Sequence, residues 1–123
     1  MAKLVDDTVL DAALGTVDNA TSIIVASGTP TSYATAVANA LATGNAGNSK
    51  APTFAAPADD TSGRKLVVNE VAGIPIAANG TPTHICLTVG TTLLYQTTCT
   101  GAALVTGNTV TVPAWKINIP DPT

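Results

Sequence analysis

The chain carries one histidine, His84, two cysteines, Cys86 and Cys99, eight acidic residues and five basic ones. With one imidazole no histidine pair can hold a metal, and any nucleophile, base and acid arrangement would have to be built on this single ring. In an extended strand His84 and Cys86 share a face, so His84, Cys86 and Cys99 form a conceivable three-ligand cluster, but the spacing matches no zinc pattern and a fourth ligand is missing. A Cys86 or Cys99 thiolate activated by His84 is the other chemistry open to this trio; the structural alternative is a strand histidine with a local hydrogen bond. Asp6-Asp7 and Asp59-Asp60 are adjacent carboxylate pairs that would hold a hard cation only if loop oxygens joined them, whereas a helix cap and a turn pair ask for nothing more. Glu70 is the sole glutamate, and no carboxylate close to it in sequence completes a glycosidase pair. Ser62-Gly63-Arg64-Lys65, the one basic cluster, either meets an acidic partner surface or opens a strand. The chain has no G-x-S-x-G, no G-x-G-x-x-G and no Walker-type G-K-[ST]. These residues predict no catalytic residue, no cofactor and no metal.

Composition narrows the classes further. The 123 residues are 46% hydrophobic with a formal charge of −3, too apolar and too weakly charged for intrinsic disorder. Folded and unfolded areas of roughly 6,100 and 17,700 Å² would bury about 65% of the chain, enough for one core and one domain. Charged residues are 11% of the chain against about 25% ordinarily, and no basic stripe exists to neutralise a phosphate backbone, so nucleic acid is disfavoured as a partner. Residues 19–49 and 71–115 carry no charge, yet Thr, Asn, Gly or Pro interrupts them every few positions, and no run approaches the roughly 18–20 apolar residues of a spanning helix. Asp6, Asp7 and Asp11 break up the apolar run that a signal peptide needs. On that expectation Asn19-Ala20-Thr21 and Asn79-Gly80-Thr81 are chance matches to the glycosylation pattern, and the cysteines are free thiols. Pairing through a Gly90-Thr91 turn agrees, since it sets Cys86 opposite Tyr95 and leaves Cys99 about 13 Å further along the sheet.

Positioning falls to a mainly β fold with one or two short helices in the N-terminal third. Leu10, Ala13, Leu14 and Val17 follow an Asp6 or Asp7 cap at helical spacing and predict a helix over 7–18, despite the interior Gly15. Ser22 to Ala26 is a β-branched run read as a buried strand, closed by a Ser-Gly-Thr-Pro turn. The alanine-rich stretch after Ser32 predicts one or two helical turns, with a turn and strand as the alternative. Residues 43–52 read as a surface loop, the segment most tolerant of insertion. From Asp59 onward the period is two, with strands expected at 65–69, 73–77, 83–89, 92–98, 103–106, 109–112 and 115–119. Ala78-Asn79-Gly80, Gly90-Thr91 and Gly107-Asn108 supply the turns. The fold class is an antiparallel β-sandwich or small barrel, Ig-like or jelly-roll-like. Its domain plan is a single unit over 1–123: an N-terminal helix or arm over 1–20, then strand, short helix and loop over 21–58, the antiparallel region over 59–119 and an exposed tail over 120–123. A kink at Pro113-Ala114 would bring Val110 and Val112 onto one face with Trp115, Ile117 and Ile119. With Tyr33, Phe54, Tyr95 and Trp115 the only aromatics, Trp115 is expected at the centre of a thin aliphatic core.

A surface of Thr, Asn, Gly and Ala in place of charge favours assembly, though an adhesin repeat or sugar-binding sandwich would share it. Three segments in order, LVDDTVLDAAL with NATSIIVASGTPTSYATA, then DDTSGRKLVV, then LLYQTTCTGAALVTGNTVTVPAWKINIPDPT, together resemble a family of small structural proteins of tailed-phage virions. The resemblance spans nearly the whole chain and brings no catalytic residue. It implies a virion protein, assembled in the host cytoplasm, that acts as a capsid decoration or cement protein, bound as a small homo-oligomer (dimer or trimer) to the major capsid protein. A tail, neck or fibre component and a carbohydrate-binding module, for which Tyr33 and Tyr95 would supply the exposed rings, are the competing expectations.

Overall fold

A computed structural model describes residues 5–120; the first four positions of the expected arm and the last three of the expected tail lie outside the described residues. The first helix, α1 (Asp7–Val17), begins where Asp6 accepts from the Thr8 amide at 2.8 Å, and it buries Leu10 and Leu14, one turn apart. Strand β1 (Ser22–Ala26) is β-branched and buried on both faces, as suits a strand with neighbours on both sides. A reciprocal Ser32–Thr35 capping box starts α2 (Tyr33–Ala38), which has fewer than two turns and buries only Ala36.

The remaining elements are strands: β2 (Ala40–Gly44), β3 (Ala58–Asp59), β4 (Arg64–Val68), β5 (Val71–Pro75), β6 (His84–Val89), β7 (Thr92–Thr98), β8 (Thr109–Val112) and β9 (Trp115–Ile119). They form antiparallel sheets in the orders β2-β1-β6-β7, β3-β4-β9 and β5-β8. The molecule is a mainly β, antiparallel β-sandwich with two short helices in its N-terminal third, as the periodicity predicts. One face of the four-stranded sheet carries Ile23, Val25, Ile85 and Leu87 into the main core, where they meet Leu66, Val68 and Ile117, Val71, Ile74 and Val112, and Leu14 of α1. The other face places Ile24, Ala26 and Cys86 under Ala36 of α2. This second small layer explains why β1 is apolar at every position from Ile23 to Ala26.

Several expectations are corrected. Thr43 and Gly44, read as loop, end β2, where Gly44 pairs with Ile23. An added Cβ at Gly44 would collide with the Lys50 carbonyl oxygen and lie 2.9 Å from Ile23 Cγ2, so the insertion-tolerant loop starts only beyond it. Residues 103–106 form no strand; Leu104 makes a single bridge to Gly80, because Asn79 Oδ1 takes the Thr106 amide at 2.8 Å and turns the chain away. The β6–β7 hairpin sets Cys86 opposite Gln96, not Tyr95, because the register slips between Leu87 and Thr88 and one extra β7 residue is absorbed there. Pro113-Ala114 does kink the chain, but as a crossing between sheets: β8 pairs with β5 and β9 with β4, and both sets of side chains reach the same core.

Trp115 is not the central core residue. The fully buried large side chains are Leu14, Ile23, Leu66, Ile74 and Leu87, while Trp115 is half-buried at the rim of the core. It opens β9, whose burial peaks at the central Ile117 and falls off towards both ends.

Candidate functional site

The histidine and cysteine trio is not assembled. His84 Nδ1 lies 3.0 Å from its neighbour's Thr83 Oγ1, and that hydroxyl donates to the Gly28 carbonyl at 2.6 Å, a local contact that ties the ring to the β1–α2 turn. Cys86 is wholly buried under α2, and burial pushes its thiol up to about 11. Cys99 packs against the main core, on the opposite side of the sheet. Its thiol is raised too, by partial burial. The two are free thiols, as the sequence predicts, with a whole sheet between their side chains.

The carboxylates hold the fold together. Asp6 caps α1 and is held below the usual carboxylate range by the Thr8 hydroxyl and amide. Arg64 opens β4 and gathers the neighbouring acids: its Nε and one terminal nitrogen meet both oxygens of Asp11 at 2.8 and 3.1 Å, and it reaches Asp59 at 2.7 Å and Asp7 at 3.8 Å. These carboxylates raise its pKa further above the ordinary guanidinium value. The basic cluster thus clamps α1 to the second sheet and leaves no free guanidinium for an acidic partner. Asp60 points the other way, accepting from Lys116 Nζ at 2.7 Å and Asn118 Nδ2 at 3.1 Å, and the lysine contact foremost lowers its pKa. Among the described residues no group of three His, Cys, Asp or Glu side chains is placed to hold a metal. Glu70 is exposed.

What the structure does build is a cleft of about 530 Å³ that the sequence reading did not foresee. Its walls come from the end of β7, the loop over 99–104, β8, and the start of β9. Strands β7, β8 and β9 each pair on one side only among the described residues, so the cleft is the gap where the sheets of the sandwich fail to close on one another. Val25, Ile85, Leu104 and Val112 line its apolar part and Thr97, Thr98, Thr100 and Thr111 its polar part. Trp115 forms one wall, stacked on Tyr95 with ring centroids 5.9 Å apart and planes 28° apart. Its Nε1 is buried and has no hydrogen-bond partner among the described residues, a state that costs about 1–3 kcal/mol in a closed protein interior.

Among the described residues the only ionic side chain in the lining is Lys116, and it is engaged by Asp60. Such a surface has the features of a binding site: a concave, largely apolar wall with a few hydroxyls. The clue in the sequence is the run of small, uncharged residues over 97–103, which breaks the period-two pattern between the strands expected at 92–98 and 103–106.

The fold is a mainly β antiparallel sandwich with a cleft at its open edge. Comparison with protein-family models, with curated proteins and with solved structures finds no match for this chain.

Proposed function

We propose that this chain is a non-enzymatic structural protein of a tailed-phage virion, a capsid decoration or cement protein that binds the outer surface of the head and stabilises it. The observation that carries the reading is the set of one-sided strands β7, β8 and β9 around an uncharged cleft, in a chain whose described acidic and imidazole groups largely serve its own fold. Unpaired strand edges with few charges are a liability in a free monomer and suit a protein covered by a neighbour. The resemblance of the opening helix, the TSGRK turn and the VPAW segment to small virion proteins supplies the partner: the major capsid protein, with further copies of this chain beside it. A ligand that binds the expanded shell better than the unexpanded one stabilises the expanded state by that difference in affinity.

Quantitative mass spectrometry of purified particles tests the reading. A simple ratio of this chain to the major capsid protein, together with binding to expanded heads, supports decoration. A handful of copies moves the chain to the neck, tail or fibre, and absence from particles overturns a virion role. The competing reading, a ligand-binding module, gains from Trp115, which forms a cleft wall where the sequence placed it inside the core.

A further inference from the structure

We infer that the cleft between β7, β8 and β9 is a binding site for a neutral small molecule with an apolar body and at least one hydrogen-bond acceptor. This inference does not rest on the virion reading: there a neighbour covers the outer edges of β7, β8 and β9, whereas here the isolated chain takes a guest into the hollow between them.

Four observations converge on it. The volume, about 530 Å³, lies within the roughly 300–1,000 Å³ of small-molecule sites. The apolar wall is built from side chains of three sheets, which meet there only because β7 and β9 do not pair. Trp115 offers an aromatic ring as one wall, backed by Tyr95 with ring centroids 5.9 Å apart. Among the described residues the hydroxyls of Thr97, Thr98 and Thr100 have no hydrogen-bond partner, so they can serve a guest; Thr111 already accepts from the Gly73 amide at 3.4 Å.

Charge decides the class. Among the described residues no carboxylate lines the cleft, and the one ammonium that does is held at 2.7 Å by Asp60. An anion would have to compete with Asp60 for Lys116, and a cation would find no counter-ion, so either would lose solvation without compensation. A neutral ring or chain loses only its ordered water, and it can lie against Trp115, whose other face or edge is already supported by Tyr95. The expected guest therefore places its apolar part against Val25, Ile85 and Val112 and its carbonyl, ether or hydroxyl oxygen towards the hydroxyls of Thr97, Thr98 and Thr100.

The chain carries its own reporters. Trp115 is the only tryptophan, so its emission reports the cleft without background. Cys99 lines the cleft, while Cys86 is wholly buried and serves as the unreactive internal control. The full chain is titrated with 6-propionyl-2-dimethylaminonaphthalene, an uncharged apolar ketone whose carbonyl can accept a hydrogen bond, and in parallel with the anionic naphthalene 8-anilinonaphthalene-1-sulfonate. The expected result is saturable one-to-one binding of the neutral probe with quenching of Trp115, and alkylation of Cys99 by N-ethylmaleimide slowed about fivefold or more at saturation. Ala103→Arg, at an exposed position on the cleft wall, should weaken that binding about tenfold or more by setting an unpaired charge at the mouth. Non-saturable uptake, equal binding by Ala103→Arg, an unchanged Cys99 rate, or tighter binding of the anionic probe overturns the inference. The Cys99 footprint is read on the unaltered protein, so the test stands even if the variant fails to fold.

Discussion

Gly63 and Gly90 both adopt left-handed backbone, with φ of 71° and 56°, and comparing alanine at the two positions separates strain from collision. In the left-handed region an L side chain costs about 1–2 kcal/mol whatever surrounds it. At Gly90, in the β6–β7 turn, an added Cβ meets nothing within 4 Å, so Gly90→Ala should lose about 1–2 kcal/mol and no more. At Gly63 the same atom would run into the Ile119 carbonyl oxygen and come within 2.8 Å of Pro120 Cα and carbonyl carbon. All of these are backbone, and none can swing aside as a flexible side chain would. Relief requires β4 and β9 to part at the Arg64–Ile119 end of their ladder. That movement also strains the Asn118 Nδ2 bonds to the Ser62 and Arg64 carbonyls at 2.9 and 3.2 Å. At about 1 kcal/mol net for each of two or three hydrogen bonds, added to the conformational cost, Gly63→Ala should lose about 3–5 kcal/mol. Urea unfolding followed by Trp115 fluorescence measures both variants against the parent, with an unchanged slope showing that only stability has moved. A Gly63→Ala loss within about 0.5 kcal/mol of the Gly90→Ala loss would refute the reasoning, because the collision would then cost nothing.

Other consequences are open to measurement. Leu14→Ala removes the 1%-exposed side chain through which α1 enters the core, and thermal or urea unfolding should show a loss of about 3–5 kcal/mol. Trp115→Phe trades indole contacts for removal of an unsatisfied donor, so its stability should change by less than about 1 kcal/mol; a loss above about 3 kcal/mol would put Trp115 back at the centre of the core. The lowered pKa of Asp60 means that its contact with Lys116 adds stability above the ordinary carboxylate value of 3.8, lost as pH falls through the lower folded value. Lys116→Met should therefore lower stability at neutral pH and converge with the parent in strong acid; the effect should be small, because the ammonium is 54% exposed. Under oxidant no Cys86–Cys99 disulfide should form in the folded chain. Alkylation should modify Cys99 first and reach Cys86 only on unfolding, as mass spectrometry of quenched samples would show.

Local chemistry made much of the fold legible. Asp6 ahead of a Leu10 and Leu14 stripe specifies a helix because cap and periodicity agree, and Ser32 with Thr35 specifies the short second helix in the same way. The strands from Thr92 to Thr98, Thr109 to Val112 and Trp115 to Ile119 fall where period-two patterning between glycine turns puts them. The β6–β7 bulge was not legible, since turn type fixes register only when no residue is absorbed within the ladder. Nor was the assignment of β8 and β9 to different sheets, for the pattern that makes both strands face the core is the same whether they pair with each other or across the sandwich.

What the sequence by itself determined is the class: sparsely charged, mainly β, with free thiols and no motif of a known chemistry. Each of these follows from residue type and from contacts within a few positions. Tertiary structure alone decided where the ionic groups go and where the site lies. Arg64 meets Asp11 across 53 positions and Lys116 meets Asp60 across 56, so no spacing rule could pair them. Trp115 belongs to a cleft and not to the core because β7, β8 and β9 leave their outer edges unpaired at one place. That gap is a property of how three sheets meet, which depends on long-range packing and is written in no single stretch of the chain.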